Sequence, residues 1–155
     1  MTASTSATAP EIRRATAADL SAIERLLEAS GLPLDGVADA LPAFFVASEG
    51  AVVGVAGLEV CCDNALLRSV AIAPEWRSRG VGRMLVQRII ADAESRGIRA
   101  LYLLTTTAEH YFPSFGFVRV ERDVVPEDVR ATAEFQSACP ASATVMSLPL
   151  PVARN

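Results

Sequence analysis

Apolar residues recur along this chain with two periods, and the changes of period divide it into elements. Glu11 to Arg14 reads as a short strand. Thr16 then offers an N-cap to a helix over Ala17 to Ser30, with Leu20, Ile23 and Leu27 on one face and Gly31 as its stop. From Gly31 to Pro42 the residues Pro, Gly and Asp interrupt the pattern and leave room for at most a short second helix. Three strands follow over Ala43 to Ser48, Ala51 to Val60 and Ala65 to Ala73. They are separated by a Glu49-Gly50 turn and by Cys61-Cys62-Asp63-Asn64, the layout of an antiparallel meander. Val81, Met84, Leu85, Ile89 and Ala93 then mark the buried stripe of a helix from Gly80 to about Arg96, stopped by Gly97.

Ala100 to Thr105 is nearly all apolar, as expected of a strand covered on both faces. Coming after a helix, it should lie parallel to the strand before that helix. Thr105 to Thr107 leads into a short helix over Ala108 to Ser114, interrupted by Pro113, and Gly116 to Glu121 reads as a strand. Pro126 starts a helical stretch through Phe135, and Ala143 to Leu150 supplies a last strand. The expected organisation is a disordered N-terminal tail over residues 1–10, one domain over 11–150 and a frayed tail over 151–155, with no repeat.

Composition narrows the partners. The chain has 155 residues, 51% of them hydrophobic, which suffices for one core without cross-links. A net charge of -4 argues against nucleic acid. The longest apolar stretch, Ala51 to Val60, is about half a membrane span. With no apolar core in Met1 to Pro10 and three cysteines in no zinc-like spacing, the expectation is a cytoplasmic protein without a metal. All 14 basic residues are arginine, and seven of them fall between Arg68 and Arg99 beside only Glu75, Asp92 and Glu94. For Arg88, Arg96 and Arg99 a solvated helix face explains this. Arg77, Arg79 and Arg83 bunch instead around Gly80 and Gly82, where guanidinium groups and bare helix N–H groups suit a polyphosphate.

Arg77-Ser78-Arg79-Gly80-Val81-Gly82, on a strand-loop-helix, resembles the acetyl-CoA pyrophosphate loop of the GCN5-related N-acetyltransferases (GNAT). Val70 to Gly82 carries most of the likeness, and Tyr111-Phe112-Pro113-Ser114-Phe115-Gly116-Phe117 resembles the family's aromatic helix closing on Gly-Phe. Leu104 to Glu109, Pro126, Glu134-Phe135, Cys139 to Ala143 and Met146 are similar to the arsenic-resistance N-acetyltransferases, themselves similar to amino-acid acetyltransferases. The resemblance implies an α/β (α+β) fold with a mixed sheet of about six or seven strands, splayed between the fourth and fifth and flanked by about four helices. Acetyl-CoA would be held by Val70, Ala71 and Ile72 through backbone groups and by Arg77, Ser78, Arg79, Gly80, Val81, Gly82 and Arg83. The reaction implied is attack on acetyl-CoA by a small primary amine, an amino acid or an arsenic- or phosphorus-containing analogue. Homodimerisation is left open. A non-catalytic acyl-CoA-binding module is the alternative.

Two departures bear on mechanism. Many family members place a tyrosine where this chain has Phe112, and α-helical geometry would turn Tyr111 about 100° away. Related enzymes often carry a base at the positions of Leu66 and Leu67, so Glu59, on the preceding strand, is the candidate base, with a surface glutamate as the alternative. Arg68 interrupts an apolar strand and needs a partner, either a structural acid or an anionic group of the substrate, the latter with Thr106, Thr107 and Phe112 beside it. His110 is expected to be solvated, and the cysteines to be packing.

Overall fold

The computed structural model describes residues 9–106, 108–132, 135 and 143–151. Among these it contains seven strands, β1 (Glu11–Arg14), β2 (Phe44–Ser48), β3 (Val52–Cys61), β4 (Asn64–Ile72), β5 (Ala100–Thr105), β6 (Val118–Val120) and β7 (Thr144–Pro149). Four α-helices accompany them, α1 (Leu20–Ala29), α2 (Val37–Ala40), α3 (Val81–Ser95) and α4 (Glu127–Arg130). The strands form one sheet in the order β1-β2-β3-β4-β5-β7-β6, antiparallel throughout except between β4 and β5.

Alternation along the strands sorts the core into two layers. Phe45, Ala56, Leu58, Ala65 and Leu67 face α3, whose Val81, Leu85, Val86, Ile89 and Ala93 cover them. Phe44, Val46, Val55 and Ala71 point the other way, onto Ile23 and Leu27 of α1 and Val37 of α2. Further along that second face, Leu66 and Val145 pack with Val129 of α4 and with Phe135. Gly57 lies flat under the ring of Phe44, where any Cβ would collide with it.

The expected helix over Ala17 to Ser30 begins as a 3-10 turn, with α-helix only from Leu20. The Asp19 carboxylate organises that turn. It accepts the Thr16 backbone N–H at 2.8 Å and both terminal nitrogens of Arg13 at 2.8 and 3.0 Å. Its pKa falls to about 2, chiefly through the Arg13 hydrogen bonds.

The segment expected as a helix over Ala108 to Ser114 is instead a turn followed by a 3-10 helix at Phe112–Phe115. Pro113 occupies its first turn, where a missing N–H breaks no hydrogen bond. Beyond it, β6 is shorter than expected, and α4 covers four residues of the stretch begun by Pro126. Residues 133 and 134 and the two tails lie outside the described residues.

Candidate active site

The parallel pairing of β4 with β5 is confined to Asn64–Ala100, Ala65–Leu101 and Leu66–Tyr102, after which the two strands part. A cleft of about 190 Å³ opens in the fork. It is lined by Leu67, Arg68, Ser69 and Val70 of β4, by Leu103 to Thr105 of β5, and by Leu32, Ala108, Tyr111 and Phe112. Among its described lining residues Arg68 is the only charged one.

The wall made by β4 is irregular. Val55 of β3 faces Ala71 and Gly57 faces Arg68, so Ala56 alone stands opposite both Ser69 and Val70. This is a β-bulge, and Ser69 takes φ 62° in it, a conformation that L residues with a Cβ rarely adopt. The bulge re-aims the backbone beside the cleft, and past Leu66 the β5-facing N–H and C=O groups of β4 have no sheet partner.

The Arg/Gly loop joins the same end of β4 to α3. Ser78 and Gly80 both have positive φ, at 65° and 84°, so the chain turns tightly into the helix and bares its first N–H groups. Gly82 has no side chain to fill this space. A Cβ there would stand 3.3 Å from the Tyr111 hydroxyl oxygen and 3.7 Å from Ile72. Arg77, Arg79 and Arg83 ring the loop, all exposed. Arg77 Nε donates to the Ile72 carbonyl at 3.1 Å, Arg79 stacks on Trp76, and Arg83 donates to Ser114 Oγ at 3.1 Å while lying over Phe115.

Of the substrate residues expected from sequence, Arg68 and Phe112 line the cleft, Thr106 is exposed outside it, and Thr107 lies outside the described residues. Among the cofactor residues, Val70 reaches the cleft, Ala71 is buried toward α1, and Ile72 packs toward α3. Tyr111 departs from expectation. It precedes the 3-10 helix, and Tyr111 and Phe112 both line the cleft, their rings edge to face at 5.2 Å. Burial raises the pKa of the Tyr111 phenol. Ser69 and Thr105 also line the cleft without having been singled out. The one signal for Ser69 was a polar pair, Arg68-Ser69, inside an apolar strand.

Glu59 meets Arg68. Its Oε1 accepts from Arg68 Nη1 at 2.9 Å, and the Arg68 side chain is wholly sealed from solvent. The structural acid, one of the two partners expected for Arg68, is therefore present. Glu59 borders a separate depression with Asp39, Pro42 and Arg96, away from the cleft lining. His110 is exposed, and burial raises the pKa of Cys61 to about 12. Cys62 departs from the expectation of packing: it is exposed, at positive φ in the turn between β3 and β4. Cys139 lies outside the described residues. Among those residues no helix is long and apolar enough to cross a membrane, and no group of three or more His, Cys, Asp or Glu could hold a metal ion.

Residues 41–119, just over half of the chain, match the family model described as acetyltransferase (GNAT) domain. The chain belongs to the GNAT acetyltransferase family. Its cofactor is acetyl-CoA, and the loop fits it: the glycines leave backbone exposed, and a Cβ at Gly82 would occupy part of the space. The chain is similar to the amino-acid acetyltransferases of Serratia proteamaculans (40% identical) and Escherichia coli K12 (37%). Each match runs over 67 residues, 43% of this chain and 15% of the relative, so the chain spans only a small part of those proteins.

Among solved structures it resembles Rv2747 from Mycobacterium tuberculosis in complex with CoA and NLQ. The TM-score is 0.77 at 27% identity, over 92% of this chain and 100% of that one. It also resembles N-acetylglutamate synthase from Neisseria gonorrhoeae complexed with coenzyme A and N-acetyl-glutamate. There the TM-score is 0.78 at 25% identity, over 91% of this chain and 35% of that one.

Proposed function

We propose that this GNAT domain acetylates the amino group of a small amino acid or amino-acid-like compound, with Arg68 facing the acceptor's anionic group. The observation that carries the reading is the cleft in the β4–β5 fork, small and mostly apolar, with one guanidinium and no carboxylate among its described lining residues. The charge of that guanidinium is shared with Glu59 at 2.9 Å, and beside that pair an apolar pocket favours a small acceptor with a polar or negative group next to its amine. The likeness to amino-acid acetyltransferases and to a synthase bound to N-acetyl-glutamate supports the same choice.

Bound acetyl-CoA supplies the thioester acetyl group. The protein's share is placement and electrostatics. The Arg77–Arg83 loop holds the pyrophosphate, and the open edge of β4 offers N–H and C=O groups to the amide-bearing arm. N–H groups beside the Ser69–Val70 bulge are the donors available to a carbonyl oxygen whose negative charge grows as the amine attacks. An N–C bond forms as the C–S bond breaks, one amine proton passes to solvent, and the sulphur leaves as thiolate. A thiol with an ordinary pKa of about 8.5 leaves without a dedicated acid.

The test is release of free CoA thiol on mixing the protein and acetyl-CoA with L-glutamate, L-glutamine, their uncharged analogues, and amino acids carrying a phosphinate or arsonate group. Turnover of amino acids above their uncharged analogues is expected. Turnover of both alike would remove Arg68 from recognition, and no thiol release with any amine would overturn the reading. The phosphorus and arsenic arms decide whether the acceptor extends beyond ordinary amino acids.

A further inference from the structure

The bulge in β4 holds a serine in a conformation that suits glycine, and a chain of side chains reaches across two strands to keep it there. Arg68 Nε donates to Ser69 Oγ at 3.0 Å, and Arg68 Nη1 donates to Glu59 Oε1 at 2.9 Å. Glu59 stands on β3 opposite Leu66, where the register is still regular and where β4 is also paired with β5. The anchor is thus fixed on the ordered side of the slip, and the arm crosses to the disordered register. The bond to Ser69 is buried and the bond to Glu59 part-buried, and a charge-assisted hydrogen bond is strong and directional where local dielectric is low.

We infer that Glu59 is a positioning residue. Acting through Arg68, it locks Ser69 at its positive φ and thereby fixes the aim of the backbone N–H groups at residues 69 and 70 beside the thioester. This rests on the reading of the cleft as the acetyl-transfer site. It assigns Glu59 a role different from taking the amine's proton, and it accounts for a carboxylate that borders another depression and is bonded to a guanidinium.

Substituting glycine at 69 separates the two roles, because glycine adopts positive φ without a Cβ penalty and needs no lock. The variants are Glu59→Gln, Glu59→Asp, Ser69→Gly and the double variant Glu59→Gln with Ser69→Gly. Two measurements need no acceptor: amide hydrogen exchange at residues 69 and 70 in the CoA-bound protein, where the fork is filled, and the carbonyl stretch of bound, carbon-13-labelled acetyl-CoA. For Glu59→Gln, exchange at those amides should rise about tenfold or more while the α3 amides stay unchanged. The labelled carbonyl should move back toward its frequency in water.

Adding Ser69→Gly should recover most of both changes. With an active acceptor, kcat for Glu59→Gln should fall by about tenfold to a hundredfold at every pH, with KM for acetyl-CoA nearly unchanged. Should Glu59→Gln fail to fold, Glu59→Asp carries the same comparison, with the arm one methylene short. Unchanged exchange and carbonyl frequency in a folded Glu59 variant overturn the inference. So does a defect that Ser69→Gly leaves in place, and so does a kcat loss that vanishes as pH rises, which marks a general base. Failure of every amine to react would strike the proposed function and leave the exchange result readable.

Discussion

The hydroxyl of Tyr111 rests against the backbone of Gly82, so closely that a Cβ on that glycine would lie 3.3 Å from the phenol oxygen. The contact joins the N-terminus of α3 to the turn after β5, and it fixes how much room the cofactor loop has. Gly82→Ala should fold normally, because a phenol tip can yield by a few tenths of an ångström, and should weaken CoA binding modestly. Gly82→Leu should remove most CoA affinity by calorimetry. Pairing Gly82→Ala with Tyr111→Phe should return affinity toward wild type; no recovery would show that Gly82 matters for some other reason.

The exposed arginines of the loop are expected to contact phosphate. Arg77→Ala and Arg79→Ala should each raise the Kd for CoA by roughly ten- to a hundredfold, the worth of a charge-assisted hydrogen bond of about 1.5 to 3 kcal/mol. The salt dependence of binding should flatten in both. If titration gives wild-type Kd and salt slope for the pair combined, the pyrophosphate lies elsewhere.

Acid stability should report Asp19. Its folded pKa of about 2 lies below the ordinary value of 3.8, so the carboxylate stabilises the fold above about pH 4 and loses that contribution as pH falls toward 2. The contribution is between about 1 and 2 kcal/mol, since partial exposure of Arg13 lets solvent screen the pair. Urea unfolding of wild type and Asp19→Asn should differ by this amount at pH 5, and most of the gap should be gone by about pH 2. A gap independent of pH would assign the effect to packing.

Gly57→Ala should be the most damaging small substitution in the sheet, because its Cβ would enter the ring of Phe44, which is itself fully buried. Overpacking of this kind costs about 1 to 3 kcal/mol. At this chain length that lowers Tm by roughly 2 to 4 °C per kcal/mol. In a Phe44→Leu background the added penalty should shrink, and thermal melts that show simple additivity would contradict the contact.

The succession of strands and helices, the α3 stripe and the Arg/Gly loop were legible in the sequence because each is written locally, as a period or a turn residue; the place of β7 between β5 and β6 was not. The bulge was not, since a register slip belongs to two strands at once and Ser69 carries no propensity for positive φ. That Tyr111 lines the cleft beside Phe112 depends on how the turn after β5 folds back over the fork, which no local pattern encodes. For Arg68 the need for a partner could be read from its apolar surroundings, and the choice between acid and ligand needed the diagonal placement of Glu59 across β3 and β4.

The three-pair junction between β4 and β5 has a consequence for where this sheet breathes. In most sheets the outer strands exchange their amide protons first and the middle is protected longest. Here the middle is a seam. Beyond Leu66 and Tyr102, the inward-facing amides of the two central strands meet solvent or ligand, never each other. Deuterium should therefore enter the free protein at its centre, along the C-terminal halves of β4 and β5, ahead of the well-paired β2 and β3. A ligand that fills the fork should reverse the order.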